Sequence, residues 1–229
     1  MPSPRSEFIA GVRAELPIVV GVIPFGVIYG VLAVGAGIPP VVAIAMSSVV
    51  FAGSAQFIGA ELIGLATPAV ALWLTTFIVN IRHLLYSASL APYAQHLSRP
   101  WRWLLAYLLT DEAYVVTVLH YEETEPNGYR HYFWLGSGLT LWGNWQLWTI
   151  VGVVFGTQIP ASWSLDFTLA LTFIGMVVPL LRNRPMLAAA LSAGAVAVLA
   201  YTLPYQLGLM LAALTGIAVG TALESFSKQ

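Results

Sequence analysis

Cysteine is missing from the chain altogether, which removes disulfides, thiolate catalysis and cysteine-ligated metal from the functions open to it. Charge is almost as scarce. Only 8% of the residues are Asp, Glu, Lys or Arg, where soluble domains carry about 25%. A formal net charge of −1 leaves no polybasic face, so nucleic acid is not an expected partner. The zinc spacing HExxH and the phosphate loop GxxxxGK[ST] are also absent, so neither a metal or other cofactor nor an ATPase is implied. In place of all this stand apolar residues, 59% of the 229, and the fold class expected is an all-α polytopic membrane protein whose partner is the lipid bilayer.

The apolar run from Leu16 to Gly37, about 22 residues, exceeds the 7–15 of a signal-peptide core and is long enough to cross ~30 Å of hydrocarbon. It is expected to be a retained first helix. Breakers and charges then mark candidate spans at 16–37, 41–65, 69–92, 103–121, 131–157, 164–181, 186–203 and 205–223, about seven to eight transmembrane helices in one integral membrane domain over 1–229. The longest polar linker, YEETEPNGYR at 121–130, reads as a solvated turn. With eight spans and the N-terminus inside, Arg5, Arg13, Arg130, Arg182, Arg184 and Lys228 lie on the cytoplasmic side, against Arg99 and Arg102 outside. If instead 41–65 and 131–157 are re-entrant pairs of half-helices, Arg99 and Arg102 move inside and Arg130 outside. Both arrangements stay open.

Those two segments carry small and polar residues in mid-span: Gly53, Ser54, Ala55 and Gln56 in one, Gly143, Asn144, Trp145 and Gln146 in the other. A broken helix frees backbone groups that hydrocarbon cannot satisfy, so such a stretch must face protein, water or a ligand. Broken segments at matching places in two halves also point to a transporter's midplane site. A 3+3 repeat is expected, with halves 16–95 and 101–182 followed by a helical pair at 186–223. The GxxxG spacings at 26–30, 152–156 and 216–220 are read as helix-packing seams, while Ser54 and Gln56 fit packing and function equally.

Arg82 lies near the centre of the 69–92 span, where a lone guanidinium costs ~3 kcal/mol or considerably more. It requires an anion. Glu61, Asp111, Glu112 and Asp166 are the acids within reach of a span, and a structural ion pair with one of them is one reading. In the other, the guanidinium fork grips a substrate carboxylate while Asp111 or Glu112 faces an ammonium group, a pairing that a zwitterion satisfies. The substrate-binding candidates are therefore Arg82, Gln56, Ser54, Asn80 and Asp111. Asp111, Glu112 and His83 are the candidates for moving a proton, the acids because they are adjacent, the histidine because it titrates near neutrality. His96, His120 and His131 fall at expected span ends.

The blocks AGSAQF at 52–57, NIRHLLYSASLAP at 80–92 and LTDEAY at 109–114, after PFG at 24–26, resemble the azaleucine-resistance, AzlC-type branched-chain amino acid permease family over roughly residues 16–160. The resemblance implies the large subunit of a two-component exporter, moving amino acids such as valine, leucine or isoleucine across a bacterial inner membrane in which it is multi-pass. It also implies a small hydrophobic AzlD-type partner. A coupled transporter without an ATPase would draw on an ion gradient or on the substrate's own, and proton coupling through Asp111 or Glu112 is expected. Two other classes of function compete with this one. An intramembrane hydrolase using Ser54 and His83 lacks the GxSxG elbow, so no enzyme is expected. A passive channel lined by Gln56, Asn80 and Asn144 is the alternative function.

Overall fold

The computed structural model describes residues 2–155, 181, 183–203 and 207–227. Gly156, Asp166, Arg182, Lys228 and nearly all of the span expected at 164–181 lie outside the described residues. Among the described residues there is no strand, and the helices are α1 (Pro4–Gly35), α2 (Pro40–Val49), α3 (Gly53–Gly64), α4 (Ala69–Ala94), α5 (Arg99–Tyr107), α6 (Asp111–Glu123), α7 (Arg130–Phe155), α8 (Arg184–Leu199) and α9 (Leu207–Ser227). Three of them, α1, α4 and α9, are long and apolar enough to cross a membrane. The all-α membrane class stands. The chain forms two compact units, one of residues 1–68 and 80–172, the other of 69–79 and 173–229.

In the first unit α1 begins well before Leu16, because Ser3 and Ser6 cap it reciprocally: each backbone N–H donates to the other's hydroxyl, at 2.8 and 3.1 Å. Such a box contributes about 1 kcal/mol, and Pro4 in the first turn forfeits no hydrogen bond. The helix therefore carries Glu7 and Glu15 into the protein, where both are buried. Its partner is α7, and the two run parallel: Gly11 lies against Phe133, Gly26 against Trp148 and Gly30 against Thr149 and Gly152. A Cβ added at Gly30 would stand 2.6 Å from the Thr149 carbonyl oxygen, so only glycine permits this approach. The 26–30 spacing and Gly152 do serve packing, as membrane helices require when no hydrophobic effect draws them together.

The segment 41–65 is broken, as its small and polar residues suggested. α2 ends at Val49, Phe51 takes a left-handed φ of 39°, and α3 starts at Gly53. The pair is a hairpin: Gly59 faces Met46, Gln56 bonds Ser47, and Gly64 returns to lie against Ala36, where α1 ends. The segment 103–121, expected to cross, is a second hairpin with its break at Leu108, Leu109 and Thr110. Trp101 near the start of α5 packs on His131, and Tyr121 near the end of α6 bonds Arg130, so both ends meet the first turn of α7. Meanwhile Leu108 lies against Gly138, farther along the same helix.

The arrangement in which 131–157 is a pair of half-helices, one of the two left open, fails, because α7 is continuous through Gly143, Asn144, Trp145 and Gln146. The charge count changes as well: Arg5, Arg99, Arg102 and Arg130 all belong to the end of the unit at which α1 and α7 begin, the end where Trp101 meets His131 and Glu7 meets His120. Neither arrangement weighed from sequence grouped these four.

The hairpins enter from opposite ends and their tips touch. Phe51 packs on Tyr107 at 5.9 Å between ring centroids, and the Tyr107 hydroxyl donates to the Ser48 carbonyl at 2.5 Å. Residues 80–94 of α4 run parallel to α6, with Tyr86 stacked on Tyr114 and Tyr93 against Tyr121. Leu90, Leu105, Leu109, Val118, Tyr121 and Trp134 close a core beneath them.

In the second unit α8 and α9 pack antiparallel. Gly216 faces Ala193 and Ala189, Gly220 faces Ala189, and Gly208 meets the carbonyl of Ala200. The 216–220 glycine spacing is a helix seam.

Candidate functional site

Breaking α2 leaves carbonyl groups at its C-terminal end without intrahelical donors. Side chains from two other helices supply two of them: the Gln146 amide donates to the Ser47 carbonyl at 3.0 Å, and Tyr107 to that of Ser48. Tyr29 of α1 donates to the Ala43 carbonyl, within α2, at 3.1 Å. Ser47 donates in turn to Thr149 at 3.0 Å and accepts from the Gln56 amide at 3.2 Å, while the Gln56 oxygen accepts from the Trp145 indole at 3.1 Å. Ser47, Gln56 and Thr149 are fully buried. Gln56, a candidate for touching substrate, thus has both ends of its amide committed to holding α3 against α2 and α7.

Around the other tip lies Arg82, close to the midpoint of α4. Its Nη2 meets Asp111 Oδ2 at 3.1 Å, with 26% and 18% of the two side chains exposed, and the second Asp111 oxygen accepts from Tyr86 at 2.7 Å. The α4–α6 pairing sets this geometry, since the Tyr86–Tyr114 stack brings the first turn of α6 beside Arg82. Among the described acids, Asp111 pairs with Arg82 and Glu61 is exposed on α3; Asp166 lies outside the described residues. Arg82 Nε is buried and has no hydrogen-bond partner, which leaves one tine of the guanidinium fork open to an acceptor.

Glu112 adjoins Asp111 in the first turn of α6, below a Thr110 cap that accepts from the Ala113 N–H at 3.3 Å. His83 packs edge-on to Tyr86, with Nδ1 3.3 Å from the Asn80 carbonyl. Asn80 is two residues from Arg82, about 200° round the helix, so its side chain leaves α4 on another face; its Oδ1 is buried without a partner. Ser54 lies in the first turn of α3, whose N-terminus no side chain caps. Asn144 Nδ2 is buried without a partner within the intact α7. Arg82, Asp111, Glu112 and His83 are brought together around Tyr86, whereas Ser54 and Gln56 belong to the other tip and Asn80 points elsewhere.

Sequence reasoning overlooked Tyr86, Tyr107, Ser47 and Glu15. Glu15 is fully buried and accepts from the Ser137 hydroxyl at 2.5 Å. Placing the first span at Leu16 put this acid just outside it, and the capping pair Ser3 and Ser6 was the signal that the helix starts earlier. The 121–130 linker is also less passive than expected: Asn127 donates to Glu7 at 2.9 Å, His120 meets the other Glu7 oxygen at 3.2 Å, and Arg130 binds the carbonyls of Tyr121 and Thr124.

Residues 17–159, from within α1 through both hairpins and α7, match the family described as AzlC protein. The chain belongs to the AzlC family. An uncharacterized membrane protein of Archaeoglobus fulgidus is 32% identical over 93% of this chain and 94% of its own length. The inner membrane protein YgaZ of Escherichia coli is 25% identical, over 96% of this chain and 90% of its own. The branched-chain amino acid transport protein AzlC of Bacillus subtilis is 29% identical, over 74% and 68%. No solved structure matches the chain. The blocks that carried the family resemblance form the start of α3, the second half of α4 and the second hairpin tip, and they contain Gln56, Arg82 and Asp111.

Proposed function

We propose that this AzlC-family protein is a transporter, not an enzyme, that exports branched-chain amino acids such as valine, leucine and isoleucine. The observation that carries the reading is the Arg82–Asp111 pair at a hairpin tip, at the middle of a membrane-spanning helix. With no solute bound, the guanidinium and the carboxylate neutralise one another. An amino acid zwitterion replaces that one ion pair by two: its carboxylate takes Nε and an Nη of Arg82, and its ammonium takes Asp111, which Tyr86 keeps in place. Charge is conserved at each step, so a solute of no net charge exchanges with the pair at low electrostatic cost. The name of the Bacillus subtilis relative supports the solute class.

The finer parts of the proposal are export driven by the proton gradient, a small AzlD-type membrane partner and a multi-pass place in the inner membrane. The name of the Escherichia coli relative supports the last. Arginines gathered at one end of the first unit support a cytoplasmic position for the start of α1. The test is counterflow of labelled valine in proteoliposomes, with and without the small partner, at equal pH and across a pH gradient. Saturable counterflow supports a carrier; flux that never saturates supports the passive channel instead.

A further inference from the structure

Glu15 is an acid the clamp does not use. It is 0% exposed, in the first half of α1, and the two helices beside it reach it in different ways. From α7, Ser137 donates to Oε2 at 2.5 Å; from α6, Glu112 is near enough to interact with it electrostatically. Oε1 is buried with no hydrogen-bond partner, and Thr117 of α6, also fully buried, has an unpartnered hydroxyl. Among the described residues no ion pair includes Glu15. Of the other elements packed on α1, α2 has no titratable side chain and α3 carries only the exposed Glu61.

A bare carboxylate so placed is an uncompensated buried charge, which costs several kcal/mol unless a cation or a proton neutralises it. Asp111 differs: a guanidinium and a phenol already occupy its two oxygens. The seam between α1 and α7 is fixed by glycine packing, whereas α6 is a half-helix joined to α5 through three non-helical residues. Movement of α6 would change both the access to Glu15 and the distance of Glu112 from it.

We propose that Glu15 is the group that takes up and releases the coupling proton, with Ser137 holding the carboxyl in position and α6 governing its access. The proposal rests on the transporter reading. An O–H bond forms at Glu15 with a proton drawn from water on one side of the membrane and breaks to return that proton to water on the other. One proton crosses per cycle, and no other reactant is needed.

The test uses the full chain in the preparation that shows valine counterflow, comparing wild type with Glu15→Gln and Glu15→Asp. The glutamine keeps the size of the side chain and an acceptor for Ser137. Glu15→Gln is expected to hold counterflow at equal pH within about twofold, while accumulation driven by a pH gradient and the valine-linked pH change inside the vesicle both fall about tenfold or more. Retained gradient-driven accumulation, or counterflow that falls in parallel, overturns the proposal. Should the glutamine variant fail to reconstitute, Glu15→Asp decides: a shifted pH profile of accumulation with counterflow kept supports the role, and an unchanged profile overturns it. Wild type without valine counterflow would overturn the transporter reading itself. Wild type with counterflow but no proton movement would leave that reading intact and overturn this one.

Discussion

Neutralising Arg82 and Asp111 one at a time and then together separates a substrate clamp from a structural ion pair. Removing one member of a fully buried pair costs roughly 3–5 kcal/mol, chiefly because the other charge is left unpaired. Here the side chains retain 26% and 18% exposure, so water screens part of that and about 1–3 kcal/mol is expected. The two single changes should differ. Arg82→Gln leaves Asp111 with the hydrogen bond from Tyr86, whereas Asp111→Asn leaves a guanidinium whose Nε is already unpartnered. The asparagine variant is therefore the less stable. Arg82→Gln combined with Asp111→Asn removes both charges and allows an amide to bond an amide, so its stability returns to within about 1 kcal/mol of wild type.

Thermal unfolding followed by tryptophan fluorescence reads these differences, at about 2–4 °C per kcal/mol for a chain of this size. Valine counterflow should be lost in all three variants, the stable double variant included. Counterflow at the wild-type rate in the double variant would show the pair to be structural only, and the clamp would fall with it.

Three further outcomes follow from the packing. Gly30→Ala puts a methyl 2.6 Å from the Thr149 carbonyl oxygen, so α1 and α7 must part by roughly an ångström to reach ordinary contact, costing about 1–3 kcal/mol; an unchanged unfolding midpoint would contradict the seam. Ala66→Gly should raise the midpoint by a few degrees, because Ala66 holds a left-handed φ of 50° just past α3, a conformation glycine adopts about 1 kcal/mol more easily; a lowered midpoint would refute it. Tyr107→Phe removes the hydroxyl that serves both the Ser48 carbonyl and the Trp142 indole and should cost about 1–3 kcal/mol of stability, with binding to labelled valine altered through the meeting of the two tips; a variant as stable as wild type would show the tips to be independently held.

How much of this was legible depended on where polar atoms sat along the chain. The break at 50–52 was visible because Gly53, Ser54 and Gln56 interrupt an apolar run. The break at 108–110 was hidden, since Leu108 and Leu109 are apolar and the span expected at 103–121 runs straight through Thr110 and Asp111. In α7 the same kind of signal misled: Trp145 and Gln146 mark no break in their own helix, but supply hydrogen bonds to Gln56 and Ser47 beside the break in another. A run of polar residues in mid-span shows that a broken helix is near, not which helix is broken. The Arg82–Asp111 pairing was one of several open options, because the choice among Glu61, Asp111, Glu112 and Asp166 depends on the parallel packing of α4 and α6, which no local pattern encodes.

The balance of hydrogen-bonding groups at the two tips bears on the solute. At the first tip, acceptors are partly taken up: the Ser47 and Ser48 carbonyls are each met by a side chain. Donors remain, since no side chain caps α3 and a helix N-terminus favours negative charge. At the second tip, Thr110 meets the N-terminus of α6 and two carboxyl groups follow it, one held by Arg82 and Tyr86, while Arg82 Nε has no acceptor. At the second tip a spare donor, Arg82 Nε, thus stands close to acidic groups. A simple anion would use the donors and be repelled by Asp111 and Glu112; a simple cation would meet Arg82. A solute carrying both charges a few ångströms apart can use both, which is why an amino acid suits this centre better than any singly charged ion.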